Sequence, residues 1–167
     1  MKKIFTFVAL AAVCAACNTN SPETPEEQTK AAFAKATYFE ALGKNTVPNV
    51  EGENHDLPFE LDSVRASVNI VSDNTLDINL YGISFSSKMP VTIDMVIPAA
   101  AFVRTAEKIT VSGDNIVPLM GDKPFDRYII TGLNGYITAD SLVVVNNYGS
   151  YADCVYAGKI TKMEERK

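Results

Sequence analysis

One histidine, three cysteines and seven tyrosines hold most of the capacity for chemistry in this 167-residue chain. His55 is followed by Asp56, inside a stretch that also holds Pro48, Gly52 and Pro58. An imidazole beside a carboxylate is the one place where a general base could sit. No nucleophile motif stands next to it, so the pair reads as a solvated loop. A single histidine also excludes histidine-rich metal sites. Cys154 has no histidine near it in the sequence and reads as a buried small hydrophobe, not a nucleophile. Asp73, Asn74, Asp77 and Asn79 offer oxygen ligands but lack the glycine and spacing of a calcium loop. They read as a turn followed by an outward strand face. Five tyrosines fall in the C-terminal forty residues: Tyr128, Tyr136, Tyr148, Tyr151 and Tyr156. A phenol ring has an apolar face and a polar tip, so Tyr128, Tyr136 and Tyr156 are candidates to line a ligand pocket. Their ordinary use as strand residues is the alternative. With no catalytic constellation and no cofactor motif, the expectation is a protein that is not an enzyme and needs no cofactor.

The N-terminus carries a different kind of chemistry. The first 17 residues read MKKIFTFVALAAVCAAC. Lys2 and Lys3 precede an uncharged run from Ile4 to Ala16, the length of a signal-peptide core and too short to span a bilayer. Ala15 and Ala16 precede Cys17, and the polar segment Asn18-Thr19-Asn20-Ser21-Pro22 follows. This resembles a bacterial lipobox, in which the cysteine becomes the acylated first residue; Cys14 stands at the position where that pattern prefers Leu. The resemblance implies a signal peptide over 1–16, a lipid on Cys17 and residence at the outer membrane, facing either the periplasm or the outside, held there by the lipid anchor alone. Acyl chains contribute about 0.8 kcal/mol per buried methylene, so several chains anchor stably. Asp62-Ser63-Val64 and Asp140-Ser141-Leu142 resemble the Asp-Ser-aliphatic acceptor of bacterial periplasmic O-glycosylation. That makes Ser63 and Ser141 modification candidates, with a plain turn as the alternative use of Asp-Ser.

Composition bounds the rest. Apolar residues make 47% and charged residues 21%, enough for one globular core. The 15 basic and 20 acidic residues give a net charge of −5. Without Lys2 and Lys3 the balance is 13 against 20, or −7. A chain so acidic has no general electrostatic attraction to nucleic acid. With Cys14 removed and Cys17 acylated, Cys154 has no partner for an intramolecular disulfide.

Residues 17–34 carry the lipidated cysteine and a spacer, marked by Pro22, Pro25, Glu23, Glu26 and Glu27, that reads as flexible and solvated. Residues 29–42 mix helix formers (Ala31, Ala32, Ala34, Ala36) with strand formers (Thr37, Tyr38, Phe39), and the reading places a strand around 35–43. Residues 44–60 have loop composition. Beyond them, Val64, Ala66, Val68 and Ile70 alternate with polar residues, as do Leu76, Ile78 and Leu80 after the Ser72-Asp73-Asn74 turn. Period-2 runs around a short turn predict a hairpin. Val91, Ile93, Met95 and Ile97 alternate next, and Pro98 is expected to end that strand. Residues 99–106 are expected to form a helical turn or a corner. Further strands are predicted at 108–112, 128–131, 142–146 and 155–160; Asn134-Gly135 is either a hairpin turn or lies within a strand. Residues 163–167 form a charged tail. Seven or eight short strands without a long helix predict an all-β fold over 35–162, one antiparallel barrel or sandwich, and eight strands suit a closed barrel.

Five segments also carry a family resemblance. Leu76–Phe85, Val91–Ile97 and the closing pieces 130–137, 140–142 and 156–159 resemble the calycin-like, lipocalin-like β-barrel domain of bacterial lipoproteins. The resemblance implies a small eight-stranded barrel on a lipid tether and supplies no catalytic residues. Two functions follow as expectations. One is binding of a small apolar or amphipathic ligand inside the barrel. The other is a protein-binding or inhibitor module whose barrel is filled by its own side chains. The alternation assigns Val68, Ile70, Ile78, Leu80, Ile93, Met95, Leu142 and Val144 to the interior, because Asn69, Asp77, Asn79, Asp94 and Ser141 would be costly to bury unpaired. Val143 and Val145 are apolar too, so cover on both faces is expected there, from the 44–60 loop or the 99–106 corner.

The lipobox reading has a direct check. The Cys17→Ser variant is expected to leave the membrane fraction or to remain unprocessed, as read by fractionation and intact mass. Membrane association equal to that of the parent would remove the assignment.

Overall fold

The computed structural model describes residues 23–48 and 58–166. Cys14, Cys17 and the His55-Asp56 pair lie outside these residues. One helix, α1 (Pro25–Lys35), precedes ten strands: β1 (Tyr38–Val47), β2 (Phe59–Ile70), β3 (Thr75–Ile83), β4 (Ile93–Arg104), β5 (Ile109–Gly113), β6 (Leu119–Met120), β7 (Lys123–Pro124), β8 (Ile130–Ile137), β9 (Ser141–Tyr148) and β10 (Tyr151–Glu164). Eight of them close a single antiparallel barrel in the order β1-β2-β3-β4-β5-β8-β9-β10, with β10 pairing back onto β1. The two-residue strands β6 and β7 form a small hairpin attached to β4 through Val96 and Leu119. The all-β, eight-stranded expectation is therefore met.

Period-2 patterning explains the faces. Val68, Ile78, Leu80, Met95, Leu142 and Val144 are all buried, as the alternation requires, while Ile70 and Ile93 near strand ends are half-buried. Val143 and Val145 are half-buried on the outer face. The 99–106 corner does not cover them, because residues up to Arg104 belong to β4.

The strand does not stop at Pro98. At this point the β3–β4 register shifts: Leu76 faces Ala100, whereas Ile78 faces Ile97. Proline is tolerated in a sheet at a bulge, where no ladder donor is needed. Ala99 takes a left-handed conformation (φ 52°), and its N–H donates to Asp77 Oδ1 at 2.8 Å across the strand pair. The same device recurs three times. Gly82 N–H donates to Asp94 Oδ1 (2.7 Å), Gly132 N–H to Asp114 Oδ1 (3.0 Å) and Asp153 N–H to Asn147 Oδ1 (2.9 Å). Each donor has positive φ, and each lies at or beside a register shift or strand end. Asn134-Gly135 lies within β8 and makes no hairpin. A Cβ on Gly135 would come 2.4 Å from the Val143 carbonyl oxygen, so only glycine allows the two strands to approach this closely.

Helix α1 occupies part of the expected flexible spacer. Thr24 caps it: its hydroxyl accepts from Glu27 N–H (3.3 Å), and the Glu27 carboxylate accepts from Thr24 N–H (2.8 Å). Pro25, taken as a spacer residue, sits where the first turn needs no donor. Arg104 from the end of β4 donates to the Ala34 and Ala36 carbonyls, placing a cation on the helix C-terminus. Phe33 is buried against Phe39, with ring centroids 5.8 Å apart. The helix thus covers one barrel end, beside the turns at 71–74, 105–108 and 138–140.

Two neighbouring substitutions test the face assignment. Ile78→Asp is expected to unfold the barrel, since an unpaired buried charge costs several kcal/mol against a total of about 5–15. Asp77→Asn keeps the oxygen that accepts from Ala99 N–H and should cost less than about 1 kcal/mol. Urea midpoints of the two variants read the difference; equal midpoints would mean the faces are misassigned.

Candidate functional site

The inward face is occupied by large side chains. Tyr148, Tyr156, Phe33, Phe39, Phe85, Leu76 and Ile78 are among those fully buried. Tyr156 reaches from β10 to donate its phenol proton to the Val64 carbonyl at 3.2 Å. At the barrel end opposite α1, Phe85 stacks on Tyr128 (4.7 Å between centroids) and Tyr151 (5.3 Å) and tilts against Tyr148 (4.8 Å). Phe125 meets Tyr128 edge-on at 4.8 Å. Aromatic pairs at these separations add to simple burial. Asn45 and Asn146 are polar side chains at buried positions of β1 and β9; Asn45 is fully buried, its Nδ2 donates to the Ser84 carbonyl at 3.4 Å, and its Oδ1 has no partner.

The three candidate tyrosines do not converge. Tyr128 is 8% exposed within the aromatic end cluster, Tyr156 is internal, and Tyr136 is 39% exposed on the outer face of β8. Strand register separates them: Tyr136 faces Val143 across the β8–β9 ladder with its side chain outward, whereas Tyr156 and its neighbour Val144 point in.

Ser63 and Ser141, by contrast, come to one place. They line a concavity of about 550 Å³ on the outside of β9, β10, β1 and β2, together with Leu42, Lys44, Val143 and Lys159. Its floor is backbone. Gly43 faces Gly158 across the β1–β10 ladder, and a Cβ on Gly43 would come 2.1 Å from the Ala157 carbonyl oxygen. Ser63 sits on the β2 side at a register shift, with φ 59°. Leu42 is 49% exposed beside it. Lys44 is held at the rim by Glu60 (2.7 Å) and Asp62 (3.5 Å), and the Glu60 hydrogen bond raises its pKa. Lys159 makes no ion pair with a described residue. The groove therefore offers an apolar strip, two hydroxyls and one uncommitted ammonium. Sequence reading missed Leu42, Gly43 and Gly158, because the groove exists only where β1 meets β10.

Among the described residues, no group of three His, Cys, Asp or Glu side chains is placed to hold a metal ion. Asp77 is engaged with Ala99, as described above. Cys154 is buried, its thiol aimed at the carbonyls of Tyr151 and Ala152 (3.7 and 3.8 Å). Burial pushes its pKa up to about 12, which keeps it a thiol and a poor nucleophile at neutral pH.

Burial also raises the phenols of Tyr148 and Tyr156. An acid whose folded pKa is raised stabilises the fold below its unfolded pKa and loses that contribution as pH rises above it. The unfolded chain should release the Cys154 proton from about pH 9 and the tyrosine protons from about pH 10, while the folded chain retains them. Urea midpoints are thus expected to fall above pH 9 and more steeply above pH 10. Cys154→Ala should remove the first part of that slope; an unchanged slope would show that the thiol is not buried.

No family model, no curated protein and no solved structure matches this chain. Its likeness to calycin-like domains rests on the closed eight-stranded antiparallel barrel.

Proposed function

We propose that the chain is an exported, lipid-anchored recognition module, not an enzyme, that binds through the outside of its barrel. The export and anchor parts rest on the Lys2-Lys3 start, the apolar run and Cys17. The binding part rests on one observation: the 550 Å³ groove lies on the outer wall, while the inward face is filled by the protein's own aromatic and aliphatic side chains. A filled interior supports the protein-binding reading over an internal small-molecule site, since ligand sites are concave and need several hundred cubic ångströms. The groove offers exposed strand surface with an apolar centre and a charged rim, which suits an amphipathic segment of a partner protein.

A photo-crosslinking residue placed at Leu42 tests this in intact cells. The expected result is a discrete adduct, weakened at least tenfold by Val143→Glu, with no equivalent from a crosslinker at Ala101 on β4. Equal adducts from both positions would defeat the groove reading. Native mass spectrometry that finds a small molecule retained by the purified chain, surviving Val143→Glu, would restore an internal ligand site.

A further inference from the structure

A second concavity lies on the outer wall over β1, β2 and β3, and its chemistry differs from that of the groove. It measures about 170 Å³ and is lined by Tyr38, Glu40, Arg65, Ala66, Ser67 and Tyr81. Cross-strand register brings these together: Glu40 faces Ser67, and Arg65 faces Tyr81. The Arg65 guanidinium lies 4.5 Å above the Tyr81 ring, which orients it without consuming its hydrogen-bond donors. Arg65 makes no salt bridge with a described carboxylate. Ser67 Oγ and Tyr81 Oη are 3.0 Å apart, and Tyr38 donates to Glu40 Oε1 at 2.9 Å. Ser67 is almost fully buried beneath this cover.

We infer that this concavity binds one sugar residue of a neutral carbohydrate. The argument is one of matching. Arg65 presents up to five donors and no acceptor; Glu40 presents acceptors and no donor. An anion satisfies Arg65 but meets the Glu40 carboxylate. A cation satisfies Glu40 but meets Arg65. An apolar ligand offers the Arg65 donors no acceptor and leaves Glu40 with the Tyr38 hydroxyl alone, which is costly when they are desolvated. Sugar hydroxyls donate and accept, so a single uncharged ring satisfies Arg65 and Glu40 together, beside a Tyr81 hydroxyl already bonded to the buried Ser67. The volume holds about five or six waters, the scale of one sugar ring. The site does not depend on the groove over Gly43 and Gly158, and the two are tested by different variants.

The test uses the full chain, solubilised in a detergent that has no sugar headgroup. It is applied to an array of neutral mono- to trisaccharides of glucose, mannose, galactose and N-acetylglucosamine. At least one of these is expected to be retained, and titration of that sugar should show binding weakened tenfold or more by Arg65→Gln and by Glu40→Ala. Both residues lie on the outer face, and urea midpoints near that of the parent confirm that the variants fold. Val103→Ser, on an exposed part of β4, should bind as the parent does. Absence of any retained sugar would overturn the inference, as would retention that Arg65→Gln and Glu40→Ala leave unchanged. Tighter binding of free amino acids than of any sugar would assign the site to a zwitterion and overturn it equally.

Discussion

The barrel depends on a repeated hydrogen bond. At four places a residue with positive φ turns its N–H toward an Asp or Asn side chain on a neighbouring strand or loop: Gly82 to Asp94, Ala99 to Asp77, Gly132 to Asp114 and Asp153 to Asn147. Closing a flat sheet into eight strands requires tilt and local bending, and bulges supply it. A bulge removes its own N–H from the ladder, and at these largely exposed positions a side-chain oxygen takes the place that water would otherwise fill. The carboxamide and carboxylate oxygens satisfy those donors. Aspartates on the outer face are therefore part of the closure, although their alternation with apolar residues makes them look like plain solvent-facing positions.

Closure decides where binding can happen. Eight strands leave a lumen that side chains can just fill. Here Phe39, Leu76, Ile78, Tyr148 and Tyr156 occupy it, α1 covers one end, and the Phe85–Tyr128–Tyr151 stack lies at the other. Concave surface then arises on the outside, where small residues let strands approach. Gly43 against Gly158 makes one such place, and the Arg65–Tyr81 pairing borders another. Both adjoin the outer face of β1, on either side of Leu42.

The strand faces were legible because one face of each strand is buried and the side-chain period is 2. Val64–Ile70, Leu76–Leu80 and Leu142–Val144 show this directly. What was not legible depended on residues far apart in the chain. Pro98 reads as a stop until Asp77 is seen to hold Ala99 beside it. The tyrosines cluster in sequence, but the register of β8, β9 and β10 sends Tyr136 outward and Tyr156 inward. Ser63 and Ser141 look unrelated until β1 and β10 bring β2 and β9 around one groove. Helix α1 did leave a local signal, Thr24 with Glu27 three residues on, hidden by the proline and acidic residues that also mark a spacer.

The seam between β1 and β10 has a consequence for how the chain reaches its fold. Apart from the attachment of β6 to β4, every other strand pair joins neighbours in sequence or bridges the short β6–β7 insertion, so those contacts can form locally. The seam joins the two ends of the domain, pairing Tyr38 with Glu164 and Thr46 with Val155. Contacts between distant residues form late, after the entropy of closing the long loop has been overcome. Until the C-terminal strand is available, β1 and β9 are open edges and the apolar interior is exposed. The barrel therefore cannot close until its last strand has been synthesised.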